Sequence, residues 1–411
     1  MYGYESLREK SGKEFKQDIQ KLWEEFKLLG EEETIDLLAD PAEEKKKNLL
    51  QKLFDDELKE AKVAFIYDKT PLTSGWTYGH ELGRQYVQKA FGGKIITTAY
   101  ENALQNNAET VIRQALADGN KIVFTTSPKF LNASLAAAVD HPDALILNCS
   151  LNKPHRYIRT YYARMYEVKF IIGAIAGTLT ENQKAGYLCD YPIYGQIAGI
   201  NAFALGVQMV NPEAKVYLEW SCVDGVTAAM SRLRERGITL ISSQDFSKAD
   251  SDDGRREFGL YRYDENGRSN LAMPLWNWGI YYEKLIQSVL NHTFQEEYET
   301  TRKALNYYWG MSAGVVEVIR SNRLPTGVVR LIKLLTDSIC SELYSPFNGP
   351  LYTQSGKIID PEGEGLTLEE IIAMDWLAEN VEGSIPVYEQ LNEEGKATVE
   401  SAGAPVPGIG G

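Results

Sequence analysis

Histidine and cysteine, the residues that most often ligate metals or act as nucleophiles, are scarce in this chain. Its 411 residues include four histidines and four cysteines. Cys149, Cys189, Cys222 and Cys340 form no C-x-x-C pair, and each lies in an apolar stretch. We therefore expect buried thiols rather than metal ligands or disulfides. His80 is expected at the surface of a helix rather than in a cleft.

The common catalytic motifs are also missing. The chain has no G-x-x-x-x-G-K-[ST] phosphate loop, no G-x-G-x-x-G after a strand, no H-E-x-x-H pair and no G-x-S-x-G elbow. We therefore expect no metal and no cofactor, and we expect the chain to bind a molecule rather than to transform one.

The chain has no excess of basic residues, and its formal net charge is −14. Residues 1–60 carry a net charge of −6 and residues 356–411 carry −10, so the central part is nearly neutral at +2. We do not expect such a chain to bind nucleic acid, because the chain offers no basic surface to a phosphate backbone. A nearly neutral body favours a neutral ligand.

No apolar run approaches the roughly 20 residues that a membrane span needs. The best candidate, FIIGAIAGTL at 170–179, is half that length, and its Gly173 and Gly177 predict close helix packing in a core. The first residues, MYGYESLREKSGKEF, show no apolar signal segment. We expect a cytoplasmic protein as the chain is written, or an extracytoplasmic, membrane-anchored one if a leader has been removed.

From residue 61 onward, short β-rich runs alternate with helical patterns of 10–15 residues. The runs include KVAFIYD, KIVFTT, ALILNC, KAGYLCD, KVYLEW, ITLISS and LYRYD, and a long helical segment, 158–179, separates two such series. This alternation predicts an α/β fold with two doubly wound, Rossmann-like lobes, preceded by charged helices in residues 1–60.

Ligands of open α/β sheets bind outside the carboxyl ends of the strands. Applied to these strands, that rule selects Asp68–Thr77, Ser127–Phe130, Asp190–Tyr194, Ser221–Asp224, Gln244–Phe246 and Asp264–Asn266. These positions are rich in aromatic and amide side chains, which suits a flat, neutral molecule with polar edges.

Several strings, in order and over about residues 61–387, resemble the basic membrane protein (BMP) family of solute-binding proteins, related to purine nucleoside receptors. The matching runs include SGWTYGHELGR, TTSPKFLNASLAAAVDHPDA, YYARMYEVKFIIGAIAG, YPIYGQIAGINAFALGVQMVNPEAKV, LWNWGIYYEKLI and PFNGPLYTQSGKI. The resemblance implies a type I periplasmic-binding fold, with two α/β lobes and a hinge of three crossovers. It also implies a purine nucleoside or base as ligand and an ABC transporter permease as a possible partner.

With this fold we expect four units in the chain. Residues 1–60 form an acidic helical extension, and 388–411 form a flexible tail. The first lobe comprises 61–155 with about 278–310, and the second comprises 156–277 with about 311–387. The sequence leaves the oligomeric state open.

Three candidate ligand contacts follow from strand ends and from the resemblance. Trp76 can stack on a purine or instead anchor its helix to the sheet. Asp264 matches a position that holds ribose hydroxyls in nucleoside receptors, and its alternative is an acid in an ordinary turn. Trp276 matches a ligand-contacting position near the hinge. Trp278 is expected in the core, because alternate residues of a strand point to opposite faces.

Further candidates lie at other strand ends. Gln244 can read a purine edge through its amide. The remaining predicted ring contacts are Phe130, Tyr162, Tyr194 and Trp220.

The resulting hypothesis is a non-catalytic binding protein for a purine base or nucleoside, which closes by motion between its lobes. The first alternative is a cytoplasmic ligand sensor or regulator with the same fold. The second is a nucleoside-processing enzyme, which the missing catalytic motifs disfavour.

Overall fold

The computed structural model describes residues 61–151, 158–243, 259–265, 267–291 and 306–405. The predicted extension, residues 1–60, lies outside the described residues, and so does Gln244. Within the described part, fifteen strands and eleven α-helices form two α/β lobes, each built around one sheet.

The first sheet has six strands, all parallel. Numbered along the chain, they are β1 (Ala61–Ile66), β2 (Ile95–Tyr100), β3 (Ile122–Thr125), β4 (Leu145–Cys149), β5 (Arg159–Ala163) and β11 (Asn306–Trp309). Their spatial order is β11-β5-β4-β3-β1-β2. Strand β1 lies inside this sheet, and Val63, Ala64, Phe65 and Ile66 are fully buried, as expected for a parallel strand covered on both faces.

The second sheet has seven strands and is mixed. Its members are β6 (Lys184–Cys189), β7 (Lys215–Trp220), β8 (Leu240–Ser242), β9 (Leu260–Asp264), β10 (Gly267–Trp276), β12 (Val316–Arg320) and β15 (Val381–Glu382). Their order is β12-β10-β9-β8-β6-β7-β15. Strands β6, β7, β8 and β15 run parallel, whereas β9 is antiparallel to both β8 and β10. A separate hairpin pairs β13 (Leu351–Tyr352) with β14 (Ile358–Ile359).

Helices cover the two sheets. The first lobe contains α1 (Gly75–Ala90), α2 (Ala108–Ala117), α3 (Leu131–Asp140) and α8 (Trp278–Leu290), and α8 packs on α1. The second lobe contains α4 (Met165–Leu179), α5 (Gln196–Val210), α6 (Ser221–Asp224), α7 (Val226–Glu235) and α9 (Thr326–Cys340). The last two are α10 (Leu368–Ile372) and α11 (Glu393–Ala402).

Helices α4 and α5 pack unusually closely, and their glycines allow it. A Cβ atom on Gly173 would lie 2.0 Å from the carbonyl oxygen of Phe203, and one on Gly206 would lie 2.0 Å from that of Phe170. Gly177 similarly faces Val207. The predicted role of Gly173 and Gly177 in close helix packing is confirmed.

The chain crosses between the lobes three times, between β5 and α4, between β10 and α8, and between β11 and β12. Hydrogen bonds join these crossovers. The Arg164 amide donates to the Trp309 carbonyl at 2.7 Å, and the Asn277 amide donates to the Val315 carbonyl at 2.9 Å. The Asn277 side chain also donates to Glu317 Oε1 at 2.8 Å. The three crossovers therefore form one connected hinge region.

The boundary between the lobes differs from the prediction. Residues 159–163, expected at the start of a helix and in the second lobe, form β5 and pair with β4 in the first sheet. The first stretch of the first lobe therefore reaches Ala163 instead of residue 155. The run RTYYA contains aromatic and β-branched residues, which suit a strand.

The predicted flexible tail is wrong for its described part. Residues 393–402 form α11, which begins at an Asn392 side chain that accepts from the Gly395 amide at 2.8 Å. Val399 of this helix is fully buried in the main core. A capped helix that buries an apolar face is ordered by tertiary packing, which the Gly- and Pro-rich end of the sequence does not reveal.

Among the described residues, no helix combines the length and the apolar character that a membrane crossing requires.

Candidate functional site

A cleft of about 330 Å³ lies between the lobes at the carboxyl ends of both sheets. From the first lobe it is lined by Asp68, Lys69, Trp76, Ser127, Lys129 and Tyr162. From the second lobe it is lined by Asp190, Tyr191, Ile193, Tyr194, Gln196 and Trp276. Its volume lies at the lower end of the range for small-molecule sites.

Trp76 is held rigidly at this cleft. It follows β1 in the first turn of α1, where the Ser74 hydroxyl accepts a hydrogen bond from the Thr77 amide at 3.2 Å and caps the helix. The Trp76 Nε1 donates to the Thr126 carbonyl at 2.7 Å, just after β3. The indole is half-buried and lines the cleft. One edge of the ring is thus bound to the first lobe.

Trp76 belongs to a cluster of three rings on the cleft wall. Its ring centroid lies 6.2 Å from that of Tyr162, at an interplanar angle of 27°, and 5.5 Å from that of Trp276, at 80°. Tyr162 and Trp276 are 5.2 Å apart. Strand β5 carries Tyr162 and the end of β10 carries Trp276, so the cluster joins both lobes.

Trp276 and Trp278 do not point to opposite faces as predicted. Trp276 ends β10, but Trp278 begins α8, so the alternation of a strand does not apply to the pair. The two indoles are stacked at 5.2 Å with an interplanar angle of 10°. Trp278 is nonetheless in the core, with 1% of its surface exposed, and it supports the Trp276 ring from behind.

The expected surface position of His80 is wrong. His80 is fully buried, its Nδ1 lies 2.5 Å from the Tyr282 hydroxyl, and its ring stacks on Trp278 at 4.3 Å. Burial lowers the pKa of His80 well below its usual value, so the imidazole is neutral near pH 7. It packs edge-on against Trp76 and supports that ring without reaching the cleft.

Polar groups surround the ring cluster, and with Glu394 the cleft has three carboxylates against two lysines. Asp68 Oδ1 accepts from the Thr77 hydroxyl at 3.1 Å, and Asp190 Oδ1 accepts from the Ser221 hydroxyl at 2.7 Å. Lys69 and Lys129 lie on the same walls. Burial raises the pKa of the Tyr191 phenol, which stays protonated and can donate a hydrogen bond at neutral pH. The cleft therefore offers donors and acceptors without a large net charge.

Four of the predicted side chains, Trp76, Tyr162, Tyr194 and Trp276, line this one cleft. That they bind a ligand stays a prediction. Gln244 lies outside the described residues.

Two predicted ring contacts belong to the core instead. Phe130 is fully buried in a cluster with Ala64 and Ile66 of β1. Trp220 is 5% exposed, and its Nε1 donates to the Ser384 carbonyl at 2.8 Å. Phe130 follows β3 and Trp220 is the last residue of β7, but neither lines the cleft, because both side chains pack into the protein interior.

Asp264 lies at the wrong edge of its sheet for the predicted role. Strand β9 is antiparallel to β8, with Ser242 opposite Leu260, so its carboxyl end lies at the edge away from the cleft. Asp264 is exposed there, at the turn from β9 to β10. The rule for strand ends assumes parallel strands, and the LYRYD run does not reveal its own direction.

Several cleft residues were not predicted. Cys149 ends β4, and Ser150 and Leu151 follow it, so the rule applied to the ALILNC run would have found them. Gln196 begins α5 just after the selected 190–194 stretch. Glu394 and Thr398 come from α11, whose only local signal is Asn392 followed by two acidic residues, a typical helix start.

A metal centre finds no support in the described ranges: no three His, Cys, Asp or Glu side chains come together there in a way that could hold an ion.

Comparison with known proteins places this architecture among transport proteins. Residues 60–222 match the family described as ABC transporter substrate-binding protein PnrA-like. A purine-binding protein of Brucella abortus is 30% identical over 338 residues, which cover 79% of this chain and 94% of that protein. A putative ABC transporter glucose-binding protein of Haloferax volcanii is 25% identical over 335 residues, which cover 79% of this chain and 81% of that protein.

A solved structure agrees in fold. The ABC transporter solute-binding protein from Conexibacter woesei aligns with a TM-score of 0.52 at 15% identity, covering 69% of this chain and 98% of its own. This likeness concerns the two-lobed α/β architecture alone.

Proposed function

Because this chain belongs to the PnrA-like family of ABC transporter substrate-binding proteins, we propose that its cleft binds a purine base or a purine nucleoside. The ring cluster of Trp76, Tyr162 and Trp276 is the observation that carries this proposal. The half-buried Trp76 and Tyr162 present aromatic surface to a cleft of suitable size, and the buried Trp276, which also belongs to the lining, packs against both rings. A flat heteroaromatic ring gains roughly 1–3 kcal/mol from stacking on such a surface.

The polar lining also suits a purine. The Asp68, Asp190 and Tyr191 side chains can accept or donate hydrogen bonds at the edge of a flat ligand, and the charges of the cleft nearly cancel. The Brucella abortus relative, named for purine binding, supports the same ligand class.

A sugar is the second candidate. The Haloferax volcanii relative is named for glucose, and carboxylates such as Asp68 and Asp190 accept hydrogen bonds from sugar hydroxyls as readily as from a nucleoside. Three clustered rings favour the purine, because a saturated sugar offers them no aromatic face.

The family consists of binding proteins, so the nucleoside-processing enzyme considered from the sequence is set aside. An ABC transporter permease is the proposed partner, and the alternative remains a sensor or regulator that uses the same fold. Co-purification of the permease with the tagged chain supports the transport role, whereas ligand-dependent association with a regulatory protein supports the role of sensor or regulator.

The cellular location of the protein stays a prediction, with two alternatives. The protein is either cytoplasmic or extracytoplasmic and membrane-anchored. Protease treatment of intact cells decides between them, because only an extracytoplasmic protein is cleaved before lysis.

A thermal-shift and calorimetric screen tests the ligand. Adenine, hypoxanthine, adenosine, inosine and guanosine are compared with glucose and ribose. A ligand at 100 times its Kd stabilises the folded protein by about 2.7 kcal/mol, so the true ligand raises the Tm clearly. A shift by any purine supports the proposal. A shift by glucose alone supports the sugar, and no shift by any purine overturns the purine proposal.

A further inference from the structure

Helix α11 lies across the mouth of the cleft and contacts both lobes. It packs against the Pro128–Phe130 turn of the first lobe and against α6 of the second. The Asn392 amide, at its start, donates to the Cys222 carbonyl of α6 at 2.7 Å. Beyond its end, the Gly403 carbonyl accepts from the Tyr194 amide at 3.4 Å. The helix is therefore attached at both of its ends to the wall that carries Tyr194.

A glycine sets how closely α11 approaches the second lobe. A Cβ atom on Gly395 would lie 3.1 Å from Cys222 Cβ and 3.2 Å from the Cys222 carbonyl oxygen. Val399, one turn further along, is fully buried. These contacts press the helix onto the lobe and leave another of its faces toward the cleft.

That face carries three residues spaced four apart, Glu394, Thr398 and Ala402, and all three line the cleft. Such a spacing aligns side chains along one side of a helix. The Glu394 carboxylate lies beside Tyr191: after burial, the charge of Glu394 is the largest cause of the raised pKa of that phenol. A negatively charged acceptor is thus placed beside Tyr191 in the lining of the cleft.

We propose that α11 is a third wall of the ligand site, and that Glu394 recognises a hydroxyl-bearing substituent of a ligand whose flat ring lies on the aromatic cluster. This inference rests on the proposed function and narrows it. A nucleoside has both parts, whereas a free base has only the ring. The recognition chemistry is a carboxylate accepting from O–H donors, which gives stronger hydrogen bonds than neutral acceptors.

Two alanine variants of adjacent glutamates test the role of Glu394 in the full chain. Glu394→Ala removes the carboxylate at the cleft. Glu393→Ala removes the same charge one residue earlier, from a side chain that is 92% exposed and pairs with Lys396. Affinities for adenosine and adenine are measured by calorimetry. We expect Glu394→Ala to weaken adenosine binding about tenfold and to leave adenine within about twofold, while Glu393→Ala changes neither.

The outcomes separate this inference from the proposed function. Equal adenosine affinities for the two variants overturn the role of Glu394 while wild-type purine binding still stands. A wild-type protein that binds none of the purine bases and nucleosides of the screen overturns the proposed function itself, and the inference with it.

A second pair of variants tests the helix as a wall. Gly395→Val forces side-chain atoms into Cys222 and displaces α11, whereas Gly327→Val on α9 adds the same atoms where a Cβ meets nothing within 4 Å. We expect Gly395→Val to weaken adenosine binding at least tenfold with a retained cooperative unfolding transition, and Gly327→Val to bind as the wild type does. Unchanged adenosine affinity in Gly395→Val overturns the proposal that α11 is a third wall of the ligand site.

Discussion

At the scale of single residues, Trp76 is the most informative side chain of the cleft. Its indole is bound at one edge through Nε1 to Thr126 and is half-buried, which fits both a stacking surface and a helix anchor. The two roles differ in what a substitution changes, because stacking affects the free energy of binding and anchoring affects the free energy of unfolding.

We expect Trp76→Ala to lower purine affinity by about 5- to 150-fold, the equivalent of roughly 1–3 kcal/mol of lost stacking. Trp76→Phe should recover much of this loss, because the aromatic face remains. Calorimetric titration measures both. Trp376→Ala is the matched control, since Trp376 is also half-buried but does not line the cleft. A Trp76→Ala protein that melts earlier yet binds normally in its folded fraction would show that Trp76 is only an anchor.

Glu317, which accepts a hydrogen bond from Asn277 in the hinge region, makes the stability of the fold depend on pH. Burial raises its pKa to about 7, and the hydrogen bond from Asn277 opposes that rise only in part. The folded state therefore holds this proton more tightly than the unfolded state does. The resulting stabilisation is complete below the ordinary pKa of about 4.5 and is lost as the pH rises through about 7.

We therefore expect Glu317→Gln to raise the free energy of unfolding at pH 8 by about 1–3 kcal/mol and to change it little at pH 4.5. The amide keeps an oxygen that can accept from Asn277, and it carries no charge to desolvate. Urea unfolding at the two pH values measures the difference, with Glu181→Gln, whose side chain is 87% exposed, as the control. The same gain at both pH values would exclude the titration of Glu317 as its cause.

At the scale of elements, the contact between α4 and α5 depends on missing side chains rather than on large ones. Gly173 allows the backbone of α5 to approach so closely that a methyl group there would overlap the Phe203 carbonyl. Alanine normally favours a helix over glycine by about 1 kcal/mol, so this site reverses the usual preference.

Gly173→Ala is expected to lower the free energy of unfolding by about 1–3 kcal/mol, because the helices must separate to admit the methyl group. Gly327→Ala, in the open first turn of α9, should leave stability unchanged or raise it by up to about 1 kcal/mol. Urea titrations with unchanged m-values provide the comparison. A stable Gly173→Ala protein would mean that the helices can shift apart without loss.

At the scale of the whole molecule, three adjacent crossovers connect two lobes that share one cleft. Rotation about these three adjacent crossovers can open or close the cleft while each sheet stays intact. Helix α11 contacts both lobes at the cleft mouth, so closure must carry it along or move it aside.

Saturation with a bound purine is expected to reduce the radius of gyration measured by small-angle scattering. A ligand can shift the population only toward the form it binds better, and the closed cleft surrounds the ligand with both walls. Glucose or another compound that causes no thermal shift serves as the control. An unchanged scattering profile at proven saturation would indicate a cleft that is already closed without ligand.

Local sequence patterns were sufficient for much of this architecture. Short β-rich runs that alternate with helical patterns predicted both α/β series. The strand-end rule then located Trp76, Asp190 and Tyr194. It works for parallel strands because their carboxyl ends all lie at the same edge of the sheet. The glycines of α4 likewise predicted a close helix contact before its partner was known.

Tertiary structure alone decided the remaining features. Strand β9 reverses direction and carries Asp264 to the far edge, Phe130 turns into the core, and α11 returns from the end of the chain to the cleft. Each outcome depends on contacts between residues far apart in sequence. The direction of a strand, the depth of a side chain and the docking of a terminal helix are set by the pairing and burial of distant surfaces, which no local pattern encodes.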